Sequence, residues 1–135
     1  MTYVQKYAEK YKDYLYLVFR VLVGGLFFIH GAQKLFGWFG GNKVAALTSL
    51  MGVAGAVEFF GGLLVVLGLF TRLAALVSAV QMLVAYFMAH SPNGWNPLVN
   101  KGEPAVLLFA AFLVLLVYGN QKWSVEKAVL GKENF

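Results

Sequence analysis

The sequence predicts an all-α integral membrane protein: an antiparallel four-helix bundle with an N-terminal amphipathic segment at the membrane interface. Of its 135 residues, 60% are hydrophobic and only 13% are charged. A water-soluble fold of this size could not cover that much apolar surface. Three stretches are long enough to cross the hydrocarbon core of a bilayer, which takes about 20 helical residues. A fourth stretch is shorter but equally apolar.

The predicted transmembrane domain covers residues 15–119, with helices at about residues 15–33, 51–70, 73–90 and 104–119. The fourth helix contains no polar side chain before Tyr118 and begins with Pro104, a favoured position for proline. The connection between the second and third helices is the short stretch "TRL". Such a short connection makes these two helices antiparallel neighbours.

Two segments flank this domain. In residues 1–14, tyrosines 3, 7, 11 and 14 share one face of a helix. This pattern predicts an amphipathic helix lying at the cytoplasmic interface, and the alternative is that the segment continues the first membrane helix. Residues 120–135 are predicted to form a cytoplasmic tail. In the first outer connection, Asn42 is a candidate N-cap for a short helix through Leu50.

The distribution of lysine and arginine predicts the orientation, because cytoplasmic loops of membrane proteins carry the excess of these residues. Seven lie on one side (Lys6, Lys10, Lys12, Arg72, Lys122, Lys127 and Lys132), and three lie on the other (Lys34, Lys43 and Lys101). The prediction is a multi-pass protein of the inner (cytoplasmic) membrane with both termini in the cytoplasm.

Composition also narrows the chemistry. The chain has no cysteine, which excludes disulfides, thiol catalysis and iron–sulfur ligation within it. No clear cluster of metal ligands appears in the sequence, so no metal site is predicted. The net charge of +5 suits contact with anionic lipid headgroups, and nucleic acid is not an expected partner.

The stretch "MGVAGAVEFFGGLLVVLGLF" (51–70) contains one ionisable residue, Glu58. A charge in the hydrocarbon costs at least about 2.5–3.5 kcal/mol and usually faces protein, water or a partner. Glu58 is therefore predicted to face a pocket in the outer half of the bundle, with Lys34 as its partner. The residues that the topology places there are His30, Gln33, Lys34, Glu58, His90 and Glu103.

Alternatives stay open for several of these residues. Glu58 and Lys34 either form a structural pair between helices or belong to a pocket that handles a ligand or protons. Haem ligation by His30 and His90 is a further, less favoured alternative. Arg20 either reaches the headgroups or pairs with helix 3 or 4 inside the bundle, and Gln81 is predicted to form an interhelical hydrogen bond.

Three motifs resemble the DoxX family of small four-helix membrane proteins. They are "RVLVGGLFFIHGAQKLFG", "AVEFFGGLLVVLGLFTRLAA" and "NKGEPAVLL", in this order within residues 15–126. The tail "YGNQKWSVEKAV" is similar to the family's Trp-Ser ending but lacks its usual proline and aspartate. The positions that match the family pattern are Arg20, Gly24, His30, Gly31, Lys34, Glu58, Gly61, Gly62, Gly68, Arg72 and Glu103.

The resemblance implies a membrane oxidoreductase component, by kinship with subunits of thiosulfate:quinone oxidoreductase. It suggests that the ligand is a quinone and that partner subunits supply the electrons. It is compatible with a monomer or an oligomer of this chain. Under this hypothesis Glu58 and His30 relay protons, while Lys34, Gln33, Arg20, His90 and Glu103 contribute to ligand binding. The competing hypothesis is a structural or assembly subunit of a larger membrane complex, whose polar residues serve packing alone.

Overall fold

The computed structural model describes residues 1–41 and 44–134, and all regular structure within these ranges is helical. The elements are α1 (Tyr3–Phe36), α2 (Leu50–Leu67), α3 (Thr71–Ala85), α4 (Glu103–Tyr118) and α5 (Val125–Leu130). Helix α3 continues through a π-helical turn (Tyr86–His90) and a 3₁₀ turn (Ser91–Asn93). The prediction of an all-helical chain is therefore confirmed for the described residues.

Three of these helical stretches are long and apolar enough to cross a membrane, namely α1, α2 and the continuous stretch Thr71–Asn93. Helix α4 is equally apolar but has only 16 residues. These four stretches coincide with the four predicted membrane helices, although their ends differ. The largest difference is the start of α1 at Tyr3, because the prediction placed it at residue 15.

Residues 3–14 continue α1 in one uninterrupted helix of 34 residues, which was the alternative to a separate amphipathic helix. The helix starts at Tyr3 because Thr2 and Gln5 form a capping box: the Thr2 hydroxyl accepts from the Gln5 backbone, and the Gln5 side chain accepts from the Thr2 backbone. It ends at Gly37, whose φ of +68° suits glycine and whose N–H donates to the Gln33 carbonyl.

The prediction of a short helix ending at Leu50 is wrong over its described part. Asn42, its proposed N-cap, lies outside the described residues. Residues 44–46 have no regular structure, and residues 47–49 form a turn and a bend. The actual cap is Ser49, whose hydroxyl accepts a hydrogen bond of 3.0 Å from the Gly52 N–H. Serine at this position starts α2 directly, so no preceding helix forms.

Helices α1 and α2 pack closely because glycines line their contact. A Cβ added at Gly31 would lie 2.2 Å from the Phe59 backbone nitrogen, and one at Gly62 would lie 2.4 Å from the Phe28 backbone nitrogen. Helix α3 packs against α2 and α4, whereas α1 and α4 touch only sparsely. The core between the helices includes Phe27, which meets Phe112 edge to face at 4.7 Å.

The C-terminal segment, predicted to be a tail, folds onto the end of the molecule where α2 and α4 finish. The Asn120 and Glu126 side chains are fully buried there. The Glu126 carboxylate accepts from Asn120 Nδ2 at 2.5 Å and from the Asn134 backbone at 3.1 Å. Residues 120–134 are thus part of the folded protein.

We expect Gly31→Ala to lower the melting temperature in mild detergent. The new methyl group must displace the Phe59 backbone, and overpacking of this kind costs about 1–3 kcal/mol or more. Gly25→Ala is the matched control, because a Cβ at Gly25 meets nothing within 4 Å. Equal melting temperatures for the two variants would contradict the close α1–α2 contact.

Candidate functional site

Glu58 joins three helices through one carboxylate oxygen. Its Oε1 accepts from Lys34 Nζ of α1 at 2.5 Å and from Gln81 Nε2 of α3 at 3.0 Å. Gln81 also donates to the Ala54 carbonyl at 3.3 Å. Glu58 is only 2% exposed, so the prediction of a protein-facing carboxylate paired with Lys34 is confirmed, as is the interhelical role of Gln81.

The close approach of the α1 and α2 backbones positions the Lys34–Glu58 pair. Gly55 lies one turn before Glu58 on α2, and a Cβ at Gly55 would come within 3.0 Å of Lys34 Cβ. Lys34 therefore packs against α2 at Gly55, and its ammonium group reaches the Glu58 carboxylate one helical turn further along α2. The Lys34 side chain stays 29% exposed, so its charge contacts both the buried carboxylate and the surroundings of the protein.

Two buried polar atoms near this pair have no hydrogen-bond partner within the described part of the chain, Glu58 Oε2 and Ser78 Oγ. Ser78 is one turn before Gln81 on α3, and its hydroxyl lies 3.2 Å from the Cβ that would be added at Gly61. Buried polar atoms are usually hydrogen-bonded, often to ordered water. The cluster therefore keeps hydrogen-bonding capacity that the protein itself does not use.

His30 does not join this cluster. It lies with Glu103 in a groove between α1 and α4 with a volume of about 460 Å³. The rest of the groove is apolar and includes Phe19, Leu22 and Leu107. The groove exists because α1 and α4 are the sparsely packed neighbours, and the two polar side chains lie at the end where α4 begins.

The other predicted site residues lie in further places. Gln33 shares a depression of about 470 Å³ with Lys34 and Ser49, and its amide donates to the Phe39 carbonyl at 2.9 Å. His90 Nδ1 lies 3.1 Å from the Asn100 carbonyl, so it ties the end of the third membrane helix to the following loop. The six residues expected in one outer pocket are therefore divided among separate locations.

Arg20 lies in the middle of α1 and faces inward, as one of the two alternatives predicted, but its partners follow α4 and do not lie within helix 3 or 4. Its guanidinium is 2% exposed and donates to the carbonyls of Asn120 at 2.6 Å and Trp123 at 2.8 Å. It thus holds the C-terminal segment, neither reaching headgroups nor pairing with a helix. The signal missed in the sequence is the polar "YGNQKWS" stretch, which supplies these carbonyls.

A metal centre finds no support in residues 1–41 and 44–134, where no group of three or more His, Asp or Glu side chains is placed to hold an ion. The side chains at the two candidate locations are able to form hydrogen bonds and to exchange protons. The Glu58 cluster is buried among three helices, and the His30–Glu103 groove has apolar walls. Together with the long apolar helices, these features define a helical integral membrane protein with polar groups inside its membrane-spanning part.

Comparison with known proteins identifies the family to which this chain belongs. A family model described as DoxX matches residues 15–91, and the chain belongs to the DoxX family. The matched region contains Arg20, His30, Lys34 and Glu58 but ends before Glu103.

Three relatives align over most of their length. A Haemophilus influenzae protein described as uncharacterized is 37% identical over 82% of this chain and 87% of its own length. A Bacillus subtilis protein named "Putative oxidoreductase CatD" is 30% identical over 87% of this chain and 90% of its own length. The Escherichia coli "Inner membrane protein YqjF" is 30% identical over 88% of this chain and 95% of its own length. No solved structure matches the chain.

We expect Lys34→Met to destabilise the protein by up to about 3 kcal/mol, because it leaves the buried Glu58 carboxylate without its cation. Adding Glu58→Gln should restore part of that loss, since a neutral amide needs no counter-ion. The measurement is a double-mutant cycle of unfolding free energies, with Lys6→Met as the exposed control. If the losses of unfolding free energy in the two single variants add up to the loss in the double variant, Lys34 and Glu58 are not energetically coupled.

Proposed function

We propose that the protein is a quinone-binding component of a membrane redox complex, built as an antiparallel four-helix bundle in the inner membrane. The short connection between α2 and α3 and the neighbour contacts α1–α2, α2–α3 and α3–α4 support the antiparallel arrangement. The excess of lysine and arginine in the segment before residue 15, in the α2–α3 turn and after residue 120 supports cytoplasmic termini. The name of the Bacillus subtilis relative supports an oxidoreductase role.

The single observation that carries the quinone assignment is the α1–α4 groove. Its apolar walls suit an isoprenoid chain, and His30 and Glu103 at one end suit a ring with two oxygen atoms. An imidazole N–H donates to a quinone carbonyl, and a carboxylate accepts from a hydroquinone hydroxyl. His30 has no hydrogen bond to any other residue in the described ranges, so its ring nitrogens remain available to a ligand.

Quinone reduction consumes two electrons and two protons. The residues of this chain are proposed to transfer the protons. His30 and Glu103 are the proposed proton-exchanging groups at the groove, and partner subunits supply the electrons. Glu58 is a further candidate for holding a proton, because its Oε2 is buried and forms no hydrogen bond with the part of the chain that the structure describes. A relay between Glu58 and His30 requires intervening groups, since no hydrogen bond among the described side chains joins the two.

The competing proposal is a structural subunit, and the Glu58 cluster is the observation that favours it. Lys34 and Gln81 bind the carboxylate from two different helices, which is what a residue that holds a membrane bundle together would do. Under this proposal the cluster stabilises the fold, and the protein contributes surface to a larger complex.

We expect a photoactivatable short-chain quinone to label peptides of α1 and α4 in protein reconstituted into nanodiscs. His30→Ala and Glu103→Gln should each weaken labelling about fivefold to tenfold, the value of one hydrogen bond of about 1–1.5 kcal/mol. Gln33→Ala is the control, because Gln33 lies on α1 one turn beyond His30 but in a different depression. Labelling that does not saturate, or that spreads evenly over all helices, would contradict the groove assignment.

Glu58→Gln separates the two proposals in the native membrane. Loss of quinone-linked turnover with an intact complex supports proton handling by Glu58, and loss of the complex supports the structural role. The measurements are turnover and mass spectrometry of the proteins that co-purify in mild detergent. An unchanged complex with unchanged turnover would exclude both roles for this carboxylate.

A further inference from the structure

The first half of α1 carries an apolar stripe that is exposed at every position, although the Trp123 ring lies beside Tyr14. Position by position, the stripe follows a spacing of three and four residues, which is the heptad spacing of a coiled coil. Its side chains are all exposed, and they are those of Val4, Tyr7, Tyr11, Tyr14, Val18 and Val21. We call these six residues the α1 seam.

The seam extends beyond the hydrocarbon core of the membrane. A helix of 34 residues is about 51 Å long at 1.5 Å per residue, whereas the hydrocarbon core is about 30 Å thick. Roughly 20 Å of α1 therefore lies outside the core, and this part includes Tyr7 and Tyr11, which are 58% and 43% exposed. Lipid chains cannot cover the seam at these positions.

Contacts at the base of this extension hold its direction. Asp13 pairs with Lys122 at 3.4 Å, and the Tyr14 ring lies 4.6 Å from the Trp123 ring. Because the helix is continuous and anchored there, it projects from the membrane-spanning part rather than lying flat on the bilayer. The charged residues Lys6, Glu9, Lys10, Lys12 and Asp13 all lie off the seam.

The next seam position inside the membrane is Gly25, four residues after Val21. A Cβ at Gly25 would meet nothing within 4 Å, so the packing of this chain does not require a glycine there. A small residue on a membrane helix lets a second helix approach closely. One seam position further, Phe28 stacks on Phe59 of α2 at 4.6 Å, so the seam ends at Gly25.

We propose that the α1 seam binds the same seam of a second copy of this chain, forming a parallel, two-fold symmetric dimer. Two copies in one membrane have the same orientation, so their α1 helices meet in parallel, as a heptad seam of this kind requires. With about 200 Å² for a fully exposed tyrosine, the seam exposes roughly 500 Å² per chain. Two seams bury about 1,000 Å² in total, the size at which specific interfaces begin.

Because the chain has no cysteine, single-cysteine variants test the dimer directly. A disulfide needs Cα atoms within about 7 Å, which equivalent seam positions of a parallel dimer satisfy and outward positions do not. Tyr7→Cys and Tyr11→Cys, oxidised in native membranes, should form a species of twice the chain's mass. Glu9→Cys, on the opposite face of the same helix, should form at least tenfold less.

Three results would overturn the proposal. The first is equal cross-linking at Tyr11→Cys and Glu9→Cys, and the second is cross-linking to a protein of another mass. The third is a Tyr11→Cys thiol that does not cross-link and that a lipid-soluble reagent reaches, which would assign the seam to the bilayer surface. None of these measurements depends on quinone binding.

A second measurement reads the oligomeric state without a cross-link. Single-molecule photobleaching of labelled protein in dilute liposomes should show two-step traces for the wild type and one-step traces for Tyr7→Ser/Tyr11→Ser. The matched control, Lys6→Ser/Glu9→Ser, changes the opposite face and should keep two-step traces. All four residues are exposed, and each variant removes one surface contact within α1: the Lys10–Tyr11 cation–π contact at 5.1 Å in the first, and the Glu9–Lys12 ion pair at 3.1 Å in the control. One-step traces for the wild type would contradict the dimer.

Discussion

The close backbone contact between α1 and α2 is the constraint on which the rest of the structure depends. Gly24, Gly31 and Gly62 leave no room for a Cβ between the two helices. In a membrane, where lipid is as apolar as leucine, such close packing replaces the hydrophobic driving force of water. It also sets the register that brings Lys34 alongside Gly55 and its ammonium group to Glu58.

That register places the polar residues in two different environments, one buried between helices and one lining a groove. Glu58 is held inside the helices by Lys34 and Gln81, which both bind its Oε1, while Oε2 has no hydrogen-bond partner among residues 1–41 and 44–134. His30 and Glu103 line a groove with apolar walls between α1 and α4. Under the proposed function, stability and ligand binding thus depend on different helix pairs, α1–α2 and α1–α4.

Arginine side chains organise the opposite end of the molecule. Arg20 donates to the carbonyls of Asn120 and Trp123, and Arg72 donates to those of Leu116 and Val117 at 3.0 and 2.7 Å. Carbonyls at the end of a helix have no partner within the helix, so a cation placed there satisfies them. Arg20 therefore holds the C-terminal segment through hydrogen bonds that span 100 and 103 residues, and Arg72 holds the end of α4 through hydrogen bonds that span 44 and 45 residues.

The sequence by itself determined the all-helical membrane class, the family, and the pairing of Glu58 with Lys34. These depend on local hydrophobicity, motif order and depth along a helix of known rise, all of which can be read along one chain. Helix ends were less predictable: Thr2 and Ser49 became caps through contacts of single side chains. Only the tertiary structure decided that His30 and Glu103 share a groove apart from Glu58, and that Arg20 holds the C-terminal segment. The depth of a residue along its helix shows which residues lie at the same level in the membrane. Which side chains meet depends on the rotation of each helix about its axis, and helix packing sets that rotation.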